Sequence, residues 1–238
     1  MESKKIATYP HAKGKLIMLS THIGCPEDIP SRSIKALKEA ELLVFEDDRQ
    51  ARLALKTAGL HREYLKFSEH QQKETIEASK EFFIAGKTIA YMSDQGCPTL
   101  ADPGSALLHL AYDLGCKVEV IPGPSSLTGA ISAFPYPLRE FHFVGFLPQN
   151  QQDRERSLSR YKETKKPIIL MDTPYRRDNL LTLCERLLGS PFVALLAFNI
   201  SMPDQAFLFG PLKSLAKQAK ELPKGNFVLI IAPKAYCR

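Results

Sequence analysis

Short, mostly apolar runs of strand length alternate with stretches of helical period from Lys15 to Ile121, and that alternation leaves few folds open. Lys15–Leu19, Leu42–Phe45, Thr88–Met92 and Val118–Ile121 read as strands, and Tyr64–Phe67 is a weaker fifth. Between them, Ile34–Ala40, Ala51–Ala58, Glu74–Ala85 and Ala106–Leu114 place apolar residues at three- and four-residue spacing. Gly59, Gly86 and Gly115 stand just past three of these helices, where a left-handed cap is wanted. Five strands joined by helices predict a parallel sheet wrapped on both faces.

The pattern changes after Phe134-Pro-Tyr-Pro137. Strand-like Phe141–Val144, Ile168–Met171, Phe192–Phe198, Ala206–Phe209 and Phe227–Ala232 follow, with helical Arg154–Lys162, Asn179–Leu188 and Leu212–Lys220 among them. Phe192–Phe198 and Ala206–Phe209 are joined by a short link containing proline, which predicts an antiparallel hairpin and a mixed sheet. The fold class is therefore α/β, with one α/β domain over residues 15–122 and a second over 123–238. Residues 1–14 are expected to be a frayed leader. No apolar run approaches the roughly 18 residues of a membrane span, and the N-terminus lacks the apolar stretch of a secretory signal. The 5 cysteines are scattered without a C-x-x-C pair, which argues for a reducing, cytoplasmic setting.

Charge is unevenly placed. The net +6 arises entirely from Gly123 onward, where 16 Lys and Arg face 9 Asp and Glu. An anionic partner on the second half is expected. Arg154, Arg156, Arg160, Lys162, Lys165 and Lys166 cluster in one helical stretch and its exit, and they are the candidate RNA contacts. A solvated helix face is the plain alternative.

Ligands of open parallel sheets bind beyond the carboxyl ends of the strands. Three such ends carry glycine: Ser20-Thr-His-Ile-Gly24, Ser93-Asp-Gln-Gly96 and Pro122-Gly-Pro-Ser-Ser126. Glycine allows close backbone approach, and the adjoining prolines limit the entropy lost on binding. Three glycine turns on one edge point to a ligand site rather than plain connectors. There is no G-x-x-x-x-G-K-[ST], no G-x-G-x-x-G after the first strand and no G-x-S-x-G. Histidine spacing offers no metal site. Glu46-Asp-Asp-Arg49 ends the second strand and reads as a helix N-cap with a local ion pair, while Cys97 reads as a small loop residue.

These segments resemble the tetrapyrrole methylase superfamily of S-adenosylmethionine-dependent methyltransferases. The motifs are Thr21-His-Ile-Gly-Cys25, Glu46-Asp-Asp-Arg49, Ser93-Asp-Gln-Gly-Cys-Pro98, Asp102-Pro-Gly104, Ile121-Pro-Gly-Pro-Ser125, Gly145-Phe-Leu-Pro148 and Asp172-Thr-Pro-Tyr-Arg176. Within the superfamily the chain is most similar to the branch that methylates ribose 2′-oxygens of small-subunit ribosomal RNA. The resemblance implies two α/β domains with a cofactor cleft between them, and a homodimer. It implies S-adenosylmethionine contacts at Ile23, Gly24, Gln95, Gly96, Cys97, Leu100, Ser125, Ser126, Met171 and Asp172.

The chain departs from that branch mainly on the acceptor side. His22 and Cys25 replace a proline and an asparagine, Asp48 a threonine, and His70-Gln-Gln72 an H-N-E triplet. Phe198-Asn-Ile-Ser-Met202 stands where an R-E-L-T-K stretch is expected, with Gln205 or Ala206 near the position of a later acid. A hydroxyl acceptor must lose its proton, so a base of near-neutral pKa would help. Glu46, Asp47, Asp94, Asp102 and His70 are the polar groups of the expected region; Asp94 or Glu46 is the candidate for positioning the acceptor, with a loop cap or structural ion pair as the plain alternative for each. Two alternatives stay open: methylation of a tetrapyrrole or other small molecule, and a cofactor-binding RNA-interaction module without catalysis.

Overall fold

The structure, a computed structural model, describes residues 14–68, 70–100 and 102–237. It divides into two compact units, the first reaching to Pro124 and the second starting at Ser125. The expected leader falls on residues 1–13, outside the described residues, but Gly14 does not belong with it. Gly14 is buried, its carbonyl accepts from Lys117 N at 3.0 Å, and a Cβ there would overlap the Phe83 backbone.

The first unit runs β1 (Lys15–Leu19), α1 (Ser31–Glu39), β2 (Leu42–Phe45), α2 (Asp48–Ala58), β3 (Leu65–Lys66), α3 (Gln72–Ile84), β4 (Thr88–Met92), α4 (Gly104–Asp113) and β5 (Lys117–Ile121). The sheet order is β3-β2-β4-β1-β5, and every pairing is parallel. Successive side chains of a strand point to opposite faces. Ile17 and Leu19 therefore pack with Leu37 of α1 and Leu55 of α2, while Leu16 and Met18 pack with Phe83 of α3 and Leu107 of α4. Both faces are covered, which is why these strands carry little polar character. Gly59 takes φ +66° and caps α2 as expected.

The second unit runs α5 (Ser126–Ser132), β6 (His142–Phe146), α6 (Gln151–Ser159), β7 (Ile168–Asp172), α7 (Arg177–Leu187), β8 (Phe192–Phe198), β9 (Ala206–Pro211), α8 (Leu212–Ala219) and β10 (Phe227–Pro233). Its sheet order is β6-β7-β10-β8-β9. Only β6–β7 is parallel; β7–β10, β10–β8 and β8–β9 are antiparallel. The mixed sheet and the β8–β9 hairpin follow the sequence reading. One face packs against α6, α7 and α8 through Leu158, Leu180 and Leu215, and α5 lies on the other through Ala130.

One local expectation is corrected. The basic helix begins at Gln151 rather than Arg154 and ends at Ser159, because Asn150 Oδ1 accepts from Gln152 N and Asp153 N and so caps an earlier turn. Helix α5 has little signature in the sequence, since seven residues rich in Ser, Thr and Gly carry almost no helical period.

Candidate active site

The three glycine-bearing loops of the first unit are laced together at the carboxyl edge of its sheet. Thr21 N donates to Gly96 O at 3.0 Å, and Gly96 N donates to His22 O at 3.2 Å. Gly96 takes φ +69°, and a Cβ there would stand 3.0 Å from Pro124 O and 3.1 Å from Ile23 Cγ2. Only glycine meets both demands without strain. Gly123 is packed just as tightly, because a Cβ would overlap Ser20 Cβ and Pro30 Cγ. The Cys97 thiol binds all three loops: Ser20 Oγ donates to Sγ at 3.2 Å, and Sγ lies 3.5 Å from Gly123 O and 3.6 Å from Pro124 O.

Burial at this edge leaves polar atoms without partners. His22 is 6% exposed, and neither ring nitrogen makes a well-formed hydrogen bond. Burial pushes its pKa down, against the opposing pull of the Asp28 charge, the Gly24 backbone and the Gln50 side chain. Ser93 Oγ, two residues before Gln95, is likewise buried and unpaired. Buried polar groups are nearly always satisfied in folded proteins, so these are positions where a bound polar ligand would complete the bonding.

Carboxylates crowd the adjoining strand ends. Glu46 follows β2 and Asp94 follows the neighbouring β4, and Asp94 N donates to Glu46 Oε2 at 3.1 Å. Burial first, then the charges of Asp94, Asp102 and Asp47, raise the Glu46 pKa to about 7. Burial, with Asp47 and Asp102, raises that of Asp94 to about 6, and Asp94 Oδ1 has no partner. Asp102 is tied down: Oδ1 accepts from Tyr91 Oη at 3.1 Å and Gly104 N at 2.8 Å, and Oδ2 accepts from Thr99 N. Glu46, Asp47, Asp94 and Asp102 line one depression with Lys66, Phe67 and Ser68.

The Glu46-Asp-Asp-Arg49 segment divides its labour. Asp47 caps α2 by accepting from Arg49 N at 2.7 Å, and Asp48 accepts from Lys66 Nζ at 2.9 Å and Tyr64 Oη at 3.1 Å. Its pKa is lowered, first by the Lys66 hydrogen bond. The cap and local ion pair are therefore present, and Glu46 is the member left over. His70 is exposed in the turn before α3 and does not line the depression. Lys66 does, and nothing in its spacing marked it beforehand.

The remaining candidates fall as follows. Ile23, Gly24, Gln95, Gly96, Cys97 and Leu100 share the laced edge, with Gln95 and Leu100 exposed. Ser125 is the N-cap of α5 and Ser126 its first residue. Met171 and Asp172 end β7. Asp172 is 5% exposed; Oδ1 accepts from Thr173 N and Arg176 Nη2, both at 2.7 Å, while Oδ2 has no partner.

Of the basic cluster, Arg156, Arg160, Lys162, Lys165 and Lys166 are exposed. Lys166 pairs with Glu140 at 2.6 Å and Arg156 with Asp153 at 3.6 Å. Arg154 is committed locally, donating from Nε to Pro148 O at 2.9 Å and from Nη2 to Gln149 O at 2.6 Å. The Asn199–Gln205 loop is braced by its own side chains: Ser201 N donates to Gln205 Oε1 at 2.9 Å and Asn199 Nδ2 to Asp204 Oδ2 at 2.8 Å.

Comparison with known proteins identifies the family. The family model described as Tetrapyrrole (Corrin/Porphyrin) Methylases matches residues 15–216. The chain is 33% identical over 220 residues to the ribosomal RNA small subunit methyltransferase I of Halalkalibacterium halodurans, covering 92% of this chain and 76% of that protein. It is 31% identical over 222 residues to the protein of the same name in Thermotoga maritima, covering 93% and 99%. Uroporphyrin-III C-methyl transferase from Thermus thermophilus, solved in complex with S-adenyl homocysteine, superposes with a TM-score of 0.62 at 19% identity, over 94% of this chain and 100% of that one. The chain belongs to the tetrapyrrole (corrin/porphyrin) methylase family.

Proposed function

We propose that this protein is an S-adenosylmethionine-dependent methyltransferase acting on small-subunit ribosomal RNA, with a ribose 2′-hydroxyl as acceptor. The observation that carries the reading is the laced carboxyl edge beside a near-neutral carboxylate pair. A backbone platform of Gly96, Ile23 and Pro124 lies next to unpaired buried polar atoms at Ser93 and His22. Such a surface fits a ligand with both flat and polar parts. Gly24, Gln95, Cys97 and Leu100 keep the cofactor-contact role on that edge, and the same role is assigned to Ser125, Ser126, Met171 and Asp172. The names borne by the relatives support the choice of ribosomal RNA.

Bound S-adenosylmethionine would supply an electrophilic methyl group on a sulfonium. The chain's own residues then have two tasks, to hold the acceptor in line and to take its proton. Glu46, with its pKa near 7, is the general base of this proposal, because it is half ionised at neutral pH. Asp94 fixes it through the backbone N–H, and its own raised pKa keeps part of the pair neutral. The two titrate as a pair rather than singly. Asp102 is held by Tyr91 and the start of α4, so it supplies charge and no proton transfer. A ribosomal acceptor also entails the cytoplasm. Among the described residues no helix is long and apolar enough to cross a membrane. The homodimer is part of the same proposal; exposed Phe207 and Phe209 on β9 are the surface it would cover.

The test is transfer of labelled methyl from S-adenosylmethionine to purified small ribosomal subunits or their RNA, with a uroporphyrin-type macrocycle as the competing acceptor. Label in the RNA is expected. Label only in the macrocycle, or in neither, would overturn the reading.

A further inference from the structure

Tyr175, 77% exposed, is the most exposed large apolar side chain among the described residues, and its surroundings are unusually fixed. It lies in the single turn Pro174–Arg176 after β7, with Lys224 Nζ 4.7 Å from its ring centroid. The segment carrying Lys224 is held from two sides. Buried Arg177 donates from Nη1 to Pro223 O at 2.6 Å and from Nη2 to Leu222 O at 3.0 Å, with its guanidinium 5.7 Å from the Phe198 ring. Opposite, Asn199 N donates to Asn226 O at 2.8 Å, and a Cβ at Gly225 would overlap Phe198 and Asn199. The lysine, flanked by Pro223 and Gly225, and the tyrosine, two residues before Arg177, are thus rooted in one hydrogen-bonded network.

Arg176 is spent on Asp172, whereas Lys224 has no ion-pair partner among the described residues. Nearby in sequence, Lys213, Lys217 and Lys220 are exposed, so the surrounding charge favours an anion. We propose that Tyr175 and Lys224 form a step for one nucleotide of single-stranded RNA, with the base stacked on the open face of the tyrosine and a neighbouring phosphate on the ammonium. Aromatic stacking supplemented by a cation is how sequence-tolerant single-strand sites gain affinity. The step rests on the RNA reading above and adds a contact that reading does not require.

The experiment is fluorescence anisotropy of the full chain with a single-stranded oligoribonucleotide of small-subunit sequence across a salt series, alongside calorimetry with S-adenosylhomocysteine. Tyr175→Ala should weaken RNA binding about tenfold without changing the salt slope, and Tyr175→Phe should stay within about twofold of the parent. Lys224→Ala should reduce the slope by about 0.7. Cofactor affinity should be the same in all three. If the parent binds RNA and Tyr175→Ala binds it equally well, the step is wrong while the RNA reading stands. Equal loss of cofactor affinity in Tyr175→Ala would give the ring to the cofactor and overturn the step. A parent chain that binds no RNA at any salt would remove both.

Discussion

The loops at the carboxyl edge of the first sheet are tied to one another through main chain and a thiol, whereas the Asn199–Gln205 loop of the second unit is held largely by its own side chains, with a backbone bond from Asn199 N to Asn226 O. In the first, backbone hydrogen bonds between Thr21, His22 and Gly96 and a thiol shared by three loops fix one geometry. In the second, the Gln205 and Asp204 side chains accept from Ser201 N and Asn199 Nδ2 of their own loop. A surface that must hold one cofactor is built from main chain, which tolerates few substitutions. A surface that adapts to an acceptor is built from side chains, which can be exchanged without disturbing the fold. The glycine turns and the uncharged Phe198–Met202 stretch sit on opposite sides of that distinction.

The sharpest way to break the comparison is at the carboxylate pair. Glu46→Gln should lower the methylation rate at neutral pH by about 100-fold or more, the span typical of a lost general base, with cofactor affinity unchanged. The parent's rate should rise with pH through about 7, the Glu46 value, and the variant should lose that limb. Stability moves the other way. A carboxyl whose folded pKa is raised binds more protons folded than unfolded, so its stabilisation is full below its ordinary pKa of 4.5 and is lost as pH rises through about 7. Glu46→Gln should therefore melt higher than the parent at pH 8 while being nearly inactive, measured by thermal denaturation beside the rate. A variant that keeps its rate and its pH limb would remove Glu46 from the mechanism.

Next in size is the basic surface. Replacing Arg156, Arg160 and Lys166 by glutamate should cut RNA affinity by more than tenfold at low salt and flatten the salt dependence by about 2 in slope, leaving cofactor binding alone. Lys166 contributes least, because Glu140 already holds it at 2.6 Å. An affinity indifferent to these reversals would place the acceptor elsewhere.

Smaller effects test the lacing itself. Gly96→Ala must pay about 1 kcal/mol for a left-handed alanine and push on Pro124 O and Ile23 Cγ2. Cofactor affinity should fall by about fivefold, read by calorimetry on a protein that still unfolds cooperatively. Cys97→Ala should cost about 1 kcal/mol of stability through the lost thiol contacts, and Cys97→Ser should recover part of it. If Cys97→Ala instead abolished activity with stability unchanged, the thiol would have a chemical role that its loop contacts do not explain.

Much of the first unit was legible because its central strands β1, β2 and β4 are buried on both faces and its turns are marked by glycine. Lys15–Leu19, Leu42–Phe45 and Thr88–Met92 match the reading residue for residue. Helix starts were less legible where the cap was an asparagine followed by polar residues, as at Asn150. The convergence of three loops could be argued from their place at the carboxyl ends of parallel strands, but the role of Cys97 as their common tie could not, because it depends on carbonyls from Gly123 and Pro124. Glu46 was singled out by position, yet its special state comes from burial and from carboxylates 48 and 56 residues away, Asp94 and Asp102. Lys66 carried no signal at all, since its part in the depression depends on β3 pairing with β2. The buried Arg177 was equally silent, because an arginine in a helical stretch reads as surface until its carbonyl partners at Leu222 and Pro223 are known.

The central claim concerns an atom, the ribose 2′-oxygen of a small-subunit RNA nucleotide, and it is tested most directly by identifying the methylated product. Small-subunit RNA labelled by the purified protein would be cleaved in alkali and the label located by chromatography and mass spectrometry. Alkaline cleavage uses the free 2′-hydroxyl, so a methyl on that oxygen protects its own linkage. The expected result is label in an alkali-resistant dinucleotide that yields one 2′-O-methylated nucleoside. Label recovered in single nucleotides methylated on the base, or none in RNA, would contradict the mechanism assigned to Glu46 and Asp94.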